Sequence, residues 1–128
     1  MTAKGKMWGL GVGPGDPDLI TLKALKILQA VDVVAYPAPL EGESFARSIA
    51  APHLTGDQTE YPIRIPMVAD RGPAQDVYDG AAKDLGTHLN AGRTVAVLCE
   101  GDPFFYGSFM YLFQRLVEQF EVEVVPGV

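Results

Sequence analysis

The sequence predicts an α/β fold: a mostly parallel five-stranded sheet with helices on both faces. Short runs rich in Val, Ile and Ala alternate about five times with longer amphipathic segments, which is the pattern of successive βαβ units. Two of the short runs end in loops rich in Gly, Asp and Pro, at residues 11–18 and 100–107. The length of 128 residues corresponds to one ordinary domain with a core of its own.

The first half of the chain predicts three strands, at residues 6–12, 32–36 and 61–66. We expect the second strand to stop at Pro37. Pro62 must lie either at the start of the third strand or in a strand at the edge of the sheet. Two helices are predicted between them, at residues 18–31 and 44–51. The first of these helices carries one apolar face of helical period, and Asp18 or Thr21 could cap its start.

The second half predicts two strands, at residues 94–99 and 122–125, with a helix between them over residues 108–119. Residues 68–72 are predicted as a loop. Pro73 suits the first turn of a long helix, and Gly92 lies just past its expected end. The continuous apolar run at residues 94–99 predicts a strand that is covered on both faces.

Composition argues against two classes of partner. The chain has 16 acidic and 10 basic residues, a net charge of −6, and its scattered basic residues do not predict nucleic-acid binding. No apolar run approaches the roughly 20 residues that cross a bilayer, so no membrane partner is expected. The single cysteine, Cys99, excludes an internal disulfide and suits a reducing compartment. We therefore expect a cytoplasmic protein.

The two Gly-rich loops are the candidate ligand site. Loops that follow parallel strands lie at the edge of the sheet where ligands bind, and glycine there lets a ligand approach the backbone. The sequence GVGPGDPD at residues 11–18 does not fit G-x-G-x-x-G or a Walker loop. Asp16 would also repel a phosphate. Acidic, proline-stiffened loops instead suit a ligand with hydroxyl and cationic or amide groups.

Two motifs carry a resemblance to a known family. The sequence GVGPGDPDLITLKA at residues 11–24 resembles the first signature of the tetrapyrrole methylases, and EGDPFFYGS at residues 100–108 resembles their second. The resemblance covers essentially the whole chain. Residues 33–37 and 99–113 are most similar to the members that methylate C-20 of precorrin-2, or its cobalt-bearing counterpart, in cobalamin biosynthesis.

The resemblance implies an enzyme of two α/β domains that binds S-adenosylmethionine (SAM) in the cleft between them. The residues it places at the SAM site are Pro14, Glu100, Gly101, Asp102 and Phe105. It also implies a small-molecule tetrapyrrole substrate, no protein-bound metal, and a homodimer at full length. Residues 1–128 are interpreted as the N-terminal domain, with the family's second domain absent from this chain.

The resemblance assigns no catalytic residue. In the uroporphyrinogen-methylating branch, a Tyr-Asp pair after the second strand supplies a carboxylate proposed as a base. This sequence has Tyr36 followed by Pro37, so that base has no counterpart. In-line methyl transfer depends more on alignment and exclusion of water than on a strong base, and the group that accepts the proton from C-20 stays unassigned.

The remaining polar residues are interpreted as structural or solvated. His53 has no Cys or His neighbour at metal-ligand spacing, His88 is interpreted as a partly buried structural histidine, and Cys99 as an inert core thiol. Arg47, Arg64 and Arg71 are assigned to the solvated surface rather than to tetrapyrrole carboxylates. Two other functions stay open: methylation of a different corrin intermediate by a member of the same family, or a non-catalytic ligand-binding module.

We predict that residues 1–128 alone bind SAM weakly and do not methylate, because the implied cleft needs a second domain. Isothermal titration calorimetry of this chain with SAM checks the prediction. An affinity equal to that of the full-length gene product would contradict it.

Overall fold

The computed structural model describes residues 4–66, 71–100 and 108–127. They form a parallel five-stranded sheet with strand order β3-β2-β4-β1-β5. The strands are β1 (Lys6–Gly11), β2 (Val33–Pro39), β3 (Thr59–Ile65), β4 (Val95–Cys99) and β5 (Glu121–Val125). The α-helices are α1 (Leu22–Ala30), α2 (Phe45–Ala50), α3 (Arg71–Asn90) and α4 (Ser108–Leu116). The predicted fold class is confirmed.

Strand β4 lies in the middle of the sheet, between β1 and β2. All five of its residues are buried, because helices cover both faces of a parallel sheet. Alternate side chains enter separate cores. Val95 and Val97 pack with α3 and α4, around Leu85 and Phe109. Leu98 packs on the opposite face, in the core that contains residues of α1 and α2.

Strand β2 is longer than predicted, because it continues through Pro37 to Pro39. Its pairing with β4 ends at Ala35, while its pairing with β3 extends to Pro39. The N–H of Val33 points toward β4, where it donates to Thr94 O at 3.0 Å. Backbone N–H groups alternate sides along a strand, so the nitrogen atoms of Pro37 and Pro39 point to the same side as that of Val33. At Pro37 and Pro39, β4 no longer pairs with that side. The missing N–H groups therefore break no ladder bond.

Strand β3 is an edge strand, as Pro62 predicts. The N–H of Thr59 donates to Asp32 O at 3.0 Å, so odd-numbered residues of β3 bond toward β2. Pro62 is even-numbered and faces the open edge, where a donor is not needed.

Several helix boundaries differ from the predicted ones. Thr21 caps α1 by accepting from Ala24 N–H at 3.1 Å, while a separate 3-10 turn spans Pro17–Leu19. Helix α3 begins at Arg71, inside the predicted loop; residues 68–70 of that loop lie outside the described residues. Helix α4 ends at Leu116, three residues early, since the chain must turn to enter β5.

No helix in the described part of the chain is long and apolar enough to span a membrane.

The contact between Gly9 and Phe109 tests the packing of α4 on the sheet. A Cβ atom at Gly9 would lie 2.6 Å from the ring of Phe109, which is 1% exposed. The ring cannot move without disturbing the core, so Gly9→Ala is expected to lower the free energy of unfolding by about 1–3 kcal/mol. Urea unfolding followed by circular dichroism measures the change.

Gly80 in α3 provides the matched control, because no described atom beyond the neighbouring backbone of its own helix lies within 4 Å of its would-be Cβ. Gly80→Ala is expected to stabilise the fold by about 0.4–1 kcal/mol. Equal destabilisation by both substitutions would contradict the packing argument.

Candidate ligand site

The two Gly-rich loops leave the sheet from neighbouring strands. Strands β1 and β4 pair in register with Gly11 opposite Cys99, and Val12 N–H donates to Cys99 O at 2.9 Å. Residues 12–16 and the start of the second loop at Glu100 therefore lie side by side at the carboxyl edge of the sheet. This is the position at which open α/β sheets bind ligands.

Gly13 lies where the first loop meets two other segments. Its φ is +85°, and a Cβ there would approach Leu19 O at 3.5 Å and Gly127 O at 3.8 Å. The loop after β1, the 3-10 turn and the segment after β5 thus converge at one point. A left-handed backbone conformation in a crowded place favours glycine. The backbone alone therefore accounts for a glycine at this position, and no phosphate ligand is needed to explain it.

The predicted SAM-site residues are only partly described. Pro14 and Glu100 are both exposed, in the first loop and directly after β4. Gly101, Asp102 and Phe105 lie outside the described residues. The side chain of Asp16 is engaged locally, since it accepts from Asp18 N–H at 2.9 Å and caps the 3-10 turn.

The histidines make structural contacts. His53 Nε2 lies 2.9 Å from Pro17 O, which ties the 3-10 turn of Ala51–His53 to the first loop. His88 Nδ1 lies 3.2 Å from Nη1 of Arg93, at the opposite edge of the sheet. Within residues 4–66, 71–100 and 108–127, no group of three His, Cys, Asp or Glu side chains is arranged to hold a metal ion.

A polar cluster joins β2, β3 and α2 beside the site. Glu60 accepts from Arg47 Nε at 2.5 Å and Nη2 at 3.3 Å, and from the Tyr36 hydroxyl at 3.0 Å. The hydrogen bonds from Arg47 lower the pKa of Glu60 below its ordinary value. Burial raises the pKa of the Tyr36 hydroxyl, and the neighbouring Glu60 carboxylate raises it further by a smaller amount. The cluster therefore holds an ion pair and a neutral phenol near neutral pH.

Ser44 positions the start of α2 against the end of β2. Its buried hydroxyl donates to Pro37 O at 2.5 Å and accepts from Arg47 N–H at 3.1 Å. Pro37 O lies on the side of β2 that has lost its partner strand, so the serine supplies the hydrogen bond that a strand would have made.

Exposed apolar side chains gather in the segments that follow β1 and β2. Four of the five large apolar residues that are most exposed in the described chain lie there: Leu19, Leu22, Leu40 and Phe45. Phe45 reaches to within 3.7 Å of a would-be Cβ at Gly15, which places it against the first loop. Apolar surface gathered at one edge is typical of a surface that contacts a ligand or another part of a protein.

Sequence reasoning missed the cluster of Tyr36, Arg47 and Glu60. It assigned Arg47 to the solvated surface, whereas Arg47 is half-buried and paired with Glu60. Arg64 is exposed, as expected, but it also donates to Pro39 O at 2.9 Å and Gly42 O at 2.8 Å. No local pattern marks these contacts, because their partners are 13 to 25 residues apart in sequence. The side chain of Arg71 lies outside the described residues.

Comparison with known proteins identifies the family of this chain. The sequence model described as "Tetrapyrrole (Corrin/Porphyrin) Methylases" matches residues 6–128. The chain belongs to the tetrapyrrole methylase family, as the two motifs predict.

Within the family, this chain is similar to relatives whose names refer to precorrin-2 methylation and cobalamin biosynthesis. The chain is 42% identical over 132 residues to "Precorrin-2 C(20)-methyltransferase" of Sinorhizobium sp, covering 97% of this chain and 54% of that protein. It is 37% identical to "Cobalt-precorrin-2 C(20)-methyltransferase" of Salmonella typhimurium, covering 97% and 53%. It is 44% identical to "Cobalamin biosynthesis protein CobIJ" of Mycobacterium bovis, covering 100% and 27%. The chain thus spans about a quarter to a half of these relatives.

Solved structures agree with the fold. Uroporphyrin-III-C-methyltransferase from Thermus thermophilus superimposes with a TM-score of 0.71 at 27% identity, over 97% of this chain and 48% of that one. A structure of the Thermus thermophilus enzyme complexed with S-adenosyl homocysteine gives a TM-score of 0.67 at 27% identity, over 97% and 45%.

The Glu60 cluster predicts an acid-dependent contribution to stability. The pKa of Glu60 is lower in the folded chain, so its ion pair stabilises the fold above the unfolded-state pKa and is lost as the pH falls through the folded-state pKa. Glu60→Gln is therefore expected to cost about 0.5–1 kcal/mol at pH 7. The cost should shrink toward zero below about pH 4.

Urea unfolding of the wild type and of Glu60→Gln, at pH 7 and at a pH below about 4, measures how the cost of the substitution changes. Glu118→Gln serves as the control, since Glu118 is exposed and forms no ion pair with the described residues. A Glu60→Gln cost that is the same at both pH values would show that the ion pair is not its source.

Proposed function

We propose that this chain is part of a SAM-dependent methyltransferase that methylates C-20 of precorrin-2, or of cobalt-precorrin-2, in cobalamin biosynthesis. The observation that carries the proposal is the match over 97% of the chain to relatives named for that reaction. The position of the first loop beside Glu100, at the edge where the fold class binds ligands, supports the proposal.

The described residues suit SAM better than a nucleotide phosphate. Glu100 presents an exposed carboxylate directly after β4, which can accept from ribose hydroxyls or an ammonium group. Gly15 is partly exposed and has no side chain, so a ligand can approach the backbone of the first loop there, and Pro14 is exposed beside it. Pro14 and Glu100, with Gly101, Asp102 and Phe105, are the proposed SAM-binding residues.

In this reaction the main role of the protein is to align two reactants. SAM supplies an electrophilic methyl group on its sulfonium sulfur, and the nucleophile is a meso carbon of a reduced tetrapyrrole. Holding the two in line accounts for a large part of the rate in such reactions. Leu40 and Phe45, exposed at the same edge, offer apolar surface for a flat macrocycle and exclude water from it.

A rival within the family differs only in substrate. The chain is 34% identical over 133 residues to "Cobalt-precorrin-4 C(11)-methyltransferase" of Priestia megaterium. The higher identity to the C-20 enzymes, 42% and 37%, favours precorrin-2 as the substrate class.

The deciding experiment incubates the full-length gene product with SAM and, in separate reactions, metal-free precorrin-2 and cobalt-precorrin-2. Product mass reports one added methyl group, and carbon-13 NMR with labelled SAM reports its position. Addition at C-20 of one substrate supports the proposal and assigns the metal state. Addition elsewhere on the ring, or no transfer while SAM still binds, would overturn the substrate assignment.

Glu100 should contribute directly to SAM affinity. A hydrogen bond to a charged group contributes about 1.5–3 kcal/mol, so Glu100→Ala in the full-length gene product is expected to raise the Kd for SAM by about tenfold or more. Isothermal titration calorimetry measures the Kd. Glu118→Ala, far along the chain in the turn after α4, should leave the Kd unchanged; equal effects from both substitutions would remove Glu100 from the site.

A further inference from the structure

A pocket opens next to the candidate ligand site, between the end of β2 and the start of α2. Its volume is about 220 Å³, and its walls include Tyr36, Ala38, Ser44, Arg47 and Arg64. It lies near the first loop, because Phe45, adjacent to Ser44, contacts the Gly15 position. A volume below the roughly 300 Å³ of whole-ligand pockets suits one arm of a larger ligand.

The pocket brings two arginine side chains together in an acidic protein. It is lined by two of the chain's five arginines, Arg47 and Arg64, and by one carboxylate, Glu43. Glu60 already balances Arg47, which leaves Arg64 as the cation whose charge no ion pair in the described chain offsets. Arginine forks match carboxylates in shape as well as in charge.

Both guanidinium groups are held in place, and Arg64 keeps unused donors. Arg64 donates from Nη1 to Pro39 O and Gly42 O, and Arg47 donates from Nε and Nη2 to Glu60. Within the described chain, Nε and Nη2 of Arg64 have no hydrogen-bond acceptor. Donors that are already positioned lose less entropy when they bind an anion.

We propose that this pocket binds a carboxylate arm of the tetrapyrrole substrate, with Arg64 as the main contact and Arg47 as the second. The inference rests on the proposed function and extends it, because it names a substrate-positioning contact. A polycarboxylate macrocycle seated at the carboxyl edge would have one arm directed into the pocket. The interaction orients the ring relative to the loops after β1 and β4 and takes no part in the methyl transfer itself.

The test measures steady-state kinetics of the full-length gene product with Arg64→Gln, Arg64→Lys and Arg93→Gln. Arg93 is the matched control, because it lies at the start of β4, at the opposite edge of the sheet. Arg64→Gln is expected to raise KM for the tetrapyrrole about tenfold, as loss of a charged hydrogen bond does, with kcat and the Kd for SAM unchanged. Arg64→Lys retains the charge and should recover part of the loss, while Arg93→Gln should match the wild type.

A structural role for Arg64 would give a different result. If the substitution merely loosened the loop that Arg64 holds at Gly42, Tm would fall, and Arg64→Lys would recover nothing in KM. That result, or an unchanged KM in Arg64→Gln, would overturn the inference.

Failure of the proposed function is distinguishable from failure of this inference. If the wild type transfers no methyl group, fluorescence titration with uroporphyrin, a stable polycarboxylate tetrapyrrole, still reports on the pocket. Weaker uroporphyrin binding by Arg64→Gln than by Arg93→Gln would support the inference. Absence of binding by the wild type, or equal binding by both variants, would overturn it.

Discussion

The parallel pairing of β1 with β4 is the constraint on which the candidate site depends. These two strands are far apart in sequence, yet their registered pairing ends with Gly11 opposite Cys99. Beyond that point the chain continues as two Gly-rich loops that start side by side. The close approach of Phe109 to Gly9 allows α4, which follows the second loop, to pack directly on β1. Sheet pairing and helix packing therefore act together to hold both ends of the site.

The two edges of the sheet differ in how far they satisfy their own polar groups. At the amino edge, Asp32 and Thr94 exchange hydrogen bonds: Thr94 N–H donates to Asp32 Oδ2 at 2.9 Å, and Asp32 N–H donates to Thr94 Oγ1 at 3.0 Å. The bond from Thr94 N–H lowers the pKa of Asp32. At the carboxyl edge, Glu100, Pro14 and several apolar side chains are left exposed. An edge closed by its own contacts supports the fold, and an open edge can receive a ligand.

Charge at the open edge is divided between two regions. Glu100 and Asp16 place carboxylates near the loops after β1 and β4, whereas Arg47 and Arg64 lie by the pocket at α2. A cationic donor such as SAM and a polyanionic tetrapyrrole require opposite surroundings. Under the proposed function, two neighbouring regions of opposite charge at one edge would suit the two reactants, despite the net charge of −6.

The amino-acid sequence alone was enough to predict the fold class, the loop after β1 and the family. Apolar periodicity and Gly-Pro punctuation are local properties, so they predicted each strand and helix to within a few residues. Only the tertiary structure decided that β2 continues through two prolines, because that depends on where β4 stops pairing. It also decided that Arg47 meets Glu60 and that Arg64 lines a pocket. Such contacts join residues from different elements, and no local pattern in the chain records which elements become neighbours.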